Sequence, residues 1–183
     1  MDELGLEVSA GGAAEDARGE SLLVFVVAGL RLALPVDQVA EVAVVGRVVA
    51  VPLVPDHLRG VTDWHGYALP VLDPGRLLKL PAVAAAGAGR AAEDAIEQQR
   101  TGRTAAEVGQ QRMVVVSAAG MRAGLLCSQV EGIVEPLAGE RRTPGAVPDP
   151  RLREFSRAEF ALGSEICTVL DLAALLMAAR VTA

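Results

Sequence analysis

The chain has 183 residues, of which 51% are hydrophobic, and a formal net charge of −6. This length suits one domain or two small ones, and the hydrophobic content is ample for a buried core, which excludes a disordered protein. Six acidic residues and one arginine lie in residues 1–20, so the remainder carries 17 acidic and 16 basic side chains and has no strongly basic face for nucleic acid or an anionic membrane.

The first 20 residues form an acidic segment that we expect to be a disordered tail. The segment has no basic stretch followed by an apolar run, so it is not a secretory signal and the protein is expected to be cytoplasmic. The longest apolar run, Leu22–Leu30, has nine residues. A membrane helix needs about 20, so we expect no direct membrane insertion.

Short strands punctuated by Gly and Pro are predicted over residues 21–80. Leu22–Val27 and Arg31–Val36 flank a turn at Gly29, which predicts a hairpin. Three further short runs follow, at Val48–Val51, Gly60–Asp63 and Tyr67–Leu72. The absence of a long helical period predicts an all-β unit of about five strands, a small barrel.

The segment VLDPGRLL, residues 71–78, predicts a strand that passes into a helical turn. Asp73 is suited to cap the turn and Pro74 to occupy its first position. The chain repeats this pattern 98 residues later as VLDLAALL, where Asp171 is the predicted cap of a C-terminal helix over Leu172–Arg180. We expect both aspartates to act as structural caps.

A second repeat relates residues 26–42 to residues 117–133 with an offset of 91 positions. The identical pairs include Gly29 with Gly120, Arg31 with Arg122, Leu34 with Leu125, Gln38 with Gln129, and Val39 with Val130. Two ordered blocks of this kind indicate one small unit used twice. We predict a second barrel over residues 113–180, separated from the first by a flexible Ala-rich insert over residues 81–112.

No catalytic, metal or cofactor site is predicted. Cys127 and Cys167 lie in apolar runs without a CxxC pair, which is typical of reduced core cysteines. The two histidines, His57 and His65, have Asp56 and Asp63 close in sequence, but no metal or nucleophile motif accompanies them. With few aromatic residues on a neutral body, a nucleic-acid-binding barrel is also disfavoured.

The order of these blocks resembles the CheW-like family of bacterial chemotaxis coupling proteins over residues 21–180. The closest segment is VPLVPDHLRGVTDWHGYALPVLD, residues 51–73, which follows the family pattern of a Pro, a helical turn, a Gly-hydrophobic-x-Asn-Leu-Arg-Gly block and a strand ending in Asp. The resemblance implies two SH3-like five-stranded barrels packed side by side, with short helical turns and a C-terminal helix.

The resemblance also implies a non-catalytic scaffold without a cofactor. Its expected partners are the cytoplasmic hairpin tip of a chemoreceptor and the regulatory domain of a CheA-type histidine kinase. By analogy with the family, the receptor-binding candidates are Val39, Glu41, Val42, Trp64 and His65. Val39 and Val42 are equally compatible with core positions, and Trp64 with either an interface anchor or a core plug.

The chain departs from the family pattern at residues 63–65, where Asp63-Trp64-His65 replaces Asn-Leu-Arg. Arginine and histidine are not equivalent at a bidentate contact, so receptor binding is expected to differ from the family norm. The alternative function is a diverged adaptor that serves another pathway, such as type IV pili or gliding motility, and binds receptor without kinase.

Overall fold

The computed structural model describes residues 19–81, 111–143 and 150–180. The expectations for the acidic tail and for the insert fall on residues 1–18 and 82–110, which lie outside the described residues. The predicted all-β class is confirmed, because the described residues form two β-sheets and few helices.

The strands are, in chain order, β1 (Leu22–Val27), β2 (Leu30–Pro35), β3 (Val39–Val44), β4 (Val48–Val49), β5 (Leu58–Trp64), β6 (Tyr67–Leu72), β7 (Arg112–Ala118), β8 (Met121–Cys127), β9 (Gln129–Val134), β10 (Ser156–Leu162) and β11 (Glu165–Leu170). The helices in this part of the chain are α1 (Pro74–Leu77) and α2 (Leu172–Ala178). Short 3-10 turns span Val36–Gln38, Ala138–Glu140 and Pro150–Phe155.

Two-residue turns with left-handed backbone join three of the hairpins. In the β1–β2 hairpin, Ala28 and Gly29 have φ values of 49° and 78°, and Ala119 and Gly120 repeat this in β7–β8 with 50° and 74°. Two successive positive φ values are the mark of the type I′ turn, whose twist matches that of paired strands. The offset of 91 residues therefore relates two hairpins of the same geometry.

The predicted division into consecutive barrels is corrected by the sheet order. The five-stranded sheet runs β10-β11-β2-β1-β9, and the six-stranded sheet runs β3-β7-β8-β6-β5-β4. Each sheet thus receives its central hairpin from the other half of the chain, through the parallel pairs β2–β11 and β6–β8. The sequence repeat cannot reveal this exchange, because both halves contain the same set of strands.

The exchanged hairpins are buried on both faces. Leu23 and Phe25 of β1 and Val114 and Leu125 of β7 and β8 belong to one large core that draws on both sheets and on α2. The alternate residues of the same strands, such as Val24, lie in a smaller core belonging to one sheet alone. These hairpins therefore hold the two sheets together.

The two aspartates at the ends of β6 and β11 cap the helices. Asp73 accepts a hydrogen bond from the backbone N–H of Arg76 at 3.2 Å, and Asp171 accepts one from Ala174 at 2.9 Å. Leu175, which follows one turn later, is fully buried in the shared core. The cap thus directs each helix so that its leucines cover the junction of the sheets.

Separating the chain within residues 82–110 tests the hairpin exchange. Each fragment would lack the central hairpin of one sheet, so we expect neither fragment to fold alone and an equimolar mixture to recover the native structure. Near-ultraviolet circular dichroism and amide dispersion in NMR spectra would report the recovery. Cooperative unfolding of either isolated fragment would contradict the exchanged topology.

Candidate functional site

Glu41, Trp64 and His65 meet at one end of the six-stranded sheet. Glu41 lies on β3, Trp64 is the last residue of β5, and His65 opens the turn to β6. The indole Nε1 of Trp64 donates to Glu41 Oε2 at 2.8 Å, and Nε2 of His65 lies 2.9 Å from the same oxygen. The structure therefore brings together three of the five predicted receptor-binding residues in one hydrogen-bonded group.

This contact joins strands that are far apart in the sheet. Strands β7, β8 and β6 separate β3 from β5 in the sheet order. Glu41 reaches Trp64 because the sheet curls until its outer strands approach each other, as in a small barrel. The carboxylate consequently closes the end of the sheet as well as holding the indole and imidazole in place.

His65 is held in a strained turn position. Its φ is 50° and that of Gly66 is 83°, which places the pair in a type I′ turn. Left-handed backbone is uncommon for residues other than Gly, Asn and Asp, with histidine among the better tolerated. The turn presents the imidazole to solvent, with 66% of the side chain exposed.

Trp64 is both partly buried in the core and part of the exposed group, so it combines the core and interface positions that the sequence left open. The residue is half-buried and packs against the core formed by Leu69, Val71 and Met113. Its N–H group is directed at Glu41, and its ring meets the His65 ring edge-on, with centroids 4.8 Å apart. An indole anchored in this way is rigid, which suits an interface anchor.

Arg122 is a fourth member of the group that the sequence analysis did not single out. This exposed residue of β8 places its guanidinium carbon 5.0 Å from the centroid of the Trp64 ring, a cation–π arrangement. The one available signal was its identity with Arg31 in the internal repeat. We call Glu41, Trp64, His65 and Arg122 the tip cluster.

Val39 and Val42 lie on the other face of β3 from Glu41. A bulge at Ala40 separates the pairs Val39–Val116 and Glu41–Val115. The extra residue reverses the alternation of faces. Val39 and Val42 are consequently half-buried against the core shared by both sheets.

The tip cluster lowers the pKa of Glu41. Its carboxylate accepts hydrogen bonds from His65, the larger cause, and from Trp64, and both favour the ionised form, so the pKa lies below its ordinary value of 4.5. Glu41 is therefore ionised at neutral pH and available to a cationic or hydrogen-bond-donating group.

The other chemically active side chains serve structural roles. His57 Nε2 lies 3.2 Å from the carbonyl oxygen of Ala179, whereas His65 contacts Glu41. Burial raises the pKa of Cys127 to about 11 and that of Cys167 to about 12, so both remain thiols at neutral pH. Among the described residues, no three His, Cys, Asp or Glu side chains group as a metal site would require.

A second exposed surface lies at the opposite end of the six-stranded sheet. Because β5 runs from Leu58 to Trp64, the loop before Leu58 lies away from the tip cluster. Val49 and Val51 are exposed, and Leu53 is fully exposed with a φ of 60°. A strained backbone that presents an apolar side chain to water suggests a functional contact. We call Val49, Val51 and Leu53 the apolar strip.

A cavity of 440 Å³ adjoins the apolar strip. It is lined by Val51 of the strip and by neighbouring side chains that include Val48, Val54, Leu58 and Arg59. Asp56 and Arg76 also line this cavity, so its walls combine aliphatic and charged groups that can accept a side chain of a partner. The strip provides a protruding surface for docking, and the cavity provides a concave one.

The two sheets and these two exposed surfaces define an all-β protein with separate docking surfaces. The model of the CheW-like domain matches residues 21–180, and the chain belongs to this family. The prediction that the chain is not an enzyme is confirmed, because the family consists of non-catalytic adaptors. No curated protein matches the sequence.

The fold also matches that of a solved scaffolding protein. TtCheW from Thermoanaerobacter tengcongensis is 15% identical, with a TM-score of 0.64 over 93% of this chain and 91% of that one. At this identity the likeness concerns the fold, which has two β domains in both proteins. In the parts of this chain that the structure describes, no helix is long and apolar enough to cross a membrane.

Replacing Glu41 with Gln tests the electrostatic role of the carboxylate. A lowered folded-state pKa means that Glu41 stabilises the fold above its ordinary pKa and loses this contribution as the pH falls through the folded-state value. The difference in unfolding free energy between wild type and Glu41→Gln should therefore shrink below about pH 4.5.

Urea unfolding at several pH values measures this difference. The chain has one tryptophan, so its fluorescence reports on the tip cluster alone. Trp64→Phe, followed by circular dichroism, is the control that removes one hydrogen bond without changing the charge. A difference that stays constant from about pH 7 to about pH 3 would show that the carboxylate does not stabilise the fold through its charge.

Proposed function

We propose that this protein is a cytoplasmic scaffold that couples the hairpin tips of chemoreceptors to a CheA-type histidine kinase. Its membership of the CheW-like family supports this function. The observation that carries the proposal is the presence of two different exposed surfaces, the tip cluster and the apolar strip, at opposite ends of one sheet. An adaptor that bridges two partners needs separate surfaces of this kind.

We assign the receptor to the end that carries the tip cluster. The cytoplasmic tip of a receptor is a helical hairpin, and an amphipathic helix binds through regularly spaced apolar anchors bordered by polar contacts. Trp64 supplies a rigid aromatic anchor, with Glu41 and His65 as polar contacts beside it. Val39 and Val42 would contribute through their exposed edges.

We assign the kinase to the apolar strip. Leu53 is fully exposed, which is unfavourable for the isolated protein and is relieved when a partner covers it. The neighbouring cavity, lined by aliphatic side chains together with Asp56, Arg59 and Arg76, would accept a side chain of the kinase regulatory domain. The strip itself is apolar, so its contribution to binding should depend only weakly on salt.

The sequence Asp63-Trp64-His65, which replaces the Asn-Leu-Arg of the family pattern, favours one alternative function. A scaffold whose turn carries His65 in place of the usual arginine would suit a diverged receptor set, in type IV pilus or gliding motility, without kinase binding. Calorimetric titration with the regulatory domain of a CheA-type kinase from the same genome distinguishes the two functions. Saturable 1:1 binding near the micromolar range, about 8 kcal/mol, is expected for the coupling scaffold.

Replacing Leu53 with Asp should weaken kinase binding at least tenfold. The side chain is fully exposed, and Asp tolerates left-handed backbone better than Leu, so the free energy of unfolding should change by less than about 0.5 kcal/mol. Leu53→Asn is the matched control for charge, and receptor binding should be unchanged in both variants. Wild-type kinase affinity in Leu53→Asp would remove the strip from the kinase interface.

Replacing Glu41 with Lys should impair receptor binding. A lysine at this position adds a cation to a group that already contains Arg122, and it removes the acceptor that holds Trp64. Binding of the receptor tip should fall at least tenfold, while kinase binding should persist. Glu154→Lys, the same charge change at an exposed site on a 3-10 turn, is the control. Equal receptor affinity in wild type and Glu41→Lys would contradict the assignment.

A further inference from the structure

Arg31 and Arg122 occupy the same position in the two halves of the repeat. Each is the second residue after a type I′ turn, at the start of β2 and of β8. The strand neighbours correspond as well, because β9 has its bulge at Glu131 where β3 has its bulge at Ala40. The two arginines therefore begin from one local geometry, and their surroundings can be compared directly.

Arg31 is neutralised within the protein. Its Nε donates to Glu131 Oε2 at 2.8 Å, and its guanidinium also contacts Glu165. Glu131 comes from the bulge of β9, and Glu165 is the first residue of β11. Two carboxylates from different strands thus hold this guanidinium, so Arg31 serves to join strands of the five-stranded sheet.

Arg122 has neither of these partners. In the six-stranded sheet, the position of Glu131 is taken by Ala40 and that of Glu165 by Tyr67, following the repeat offsets of 91 and 98 residues. The acid nearest in sequence to Ala40 is Glu41, whose Oε2 is engaged by Trp64 and His65. Within residues 19–81, 111–143 and 150–180, no carboxylate forms an ion pair with Arg122.

The guanidinium of Arg122 is nevertheless held in position. It lies over the Trp64 indole with its carbon 5.0 Å from the ring centroid, and the indole is itself fixed by Glu41. Stacking on an aromatic face leaves the N–H groups at the edge of the guanidinium directed outward. These groups match the geometry of a carboxylate, which can bind a guanidinium through two parallel hydrogen bonds.

We infer that Arg122 is a specificity-determining residue of the tip cluster that pairs with an acidic side chain, Asp or Glu, on the helical hairpin of the receptor. The inference rests on the proposed receptor-binding function. It adds the charge that the docking helix must present beside the Trp64 anchor. Arg31 pairs with acids of its own chain, Glu131 and Glu165, whereas Arg122 pairs with an acid of the receptor.

The test measures binding of a receptor tip to matched arginine variants. The probe is the cytoplasmic hairpin tip of a chemoreceptor from the same genome, prepared as a soluble helical hairpin, and the signal is the fluorescence of Trp64 in the full-length protein. Arg122→Gln should weaken binding at least tenfold and flatten its dependence on salt. Arg122→Lys should recover only part of the affinity, because lysine keeps the charge without the planar fork.

Arg31→Gln is the matched control from the other half of the repeat. It should lower the midpoint of thermal unfolding, because Glu131 and Glu165 lose their shared partner, and leave receptor affinity within twofold of wild type. In a double-mutant cycle, removing the contacting acid from the receptor tip should weaken binding to wild type but not to Arg122→Gln.

Two outcomes would overturn the inference, and they are distinguishable. If wild type binds the tip and a folded Arg122→Gln variant binds within twofold of it, Arg122 does not read the partner and the receptor-binding function stands. If folded wild type does not bind the tip of any receptor from the genome, the receptor-binding function fails and the role of Arg122 fails with it.

Discussion

The exchange of central hairpins between the two halves of the chain is the constraint on which the rest of the structure depends. Strands β1 and β2 complete the sheet formed mainly by the second half, and β7 and β8 complete the sheet formed mainly by the first. Because each exchanged hairpin is buried on both faces, the shared core forms only when both halves are present. The two sheets are therefore one cooperative unit, and a surface on either of them has a rigid support.

The tip cluster uses this support. Arg122 belongs to the exchanged hairpin from the second half, whereas Glu41, Trp64 and His65 belong to the first half. Glu41 closes the curled sheet, and its carboxylate fixes the indole that in turn supports the guanidinium. The contact between Glu41 and Trp64 therefore both closes the sheet and supports the exposed side chains of His65 and Arg122.

The internal repeat shows how one local geometry supports two different uses. Arg31 and Arg122 follow equivalent turns. Glu131 and Glu165 hold the guanidinium of Arg31, whereas Ala40 and Tyr67 occupy the equivalent positions in the sheet of Arg122. Two substitutions at strand positions separate a structural ion pair from an exposed cation. At the far end of the six-stranded sheet, Leu53 has a strained backbone and an exposed apolar side chain. This apolar surface is available for a partner to cover.

The sequence by itself determined the local elements of this protein. The hairpin turns at Gly29 and Gly120, the capping positions of Asp73 and Asp171 and the repeat all depend on residues close in the chain, which constrain backbone angles directly. Family membership was also accessible, because it resides in the order of such elements. Only the tertiary structure decided which half completes which sheet, that Glu41 meets Trp64 across the closed sheet, and that Arg122 joins them. Repeated halves present nearly identical strand edges, so the choice between them depends on long-range packing that no local pattern records.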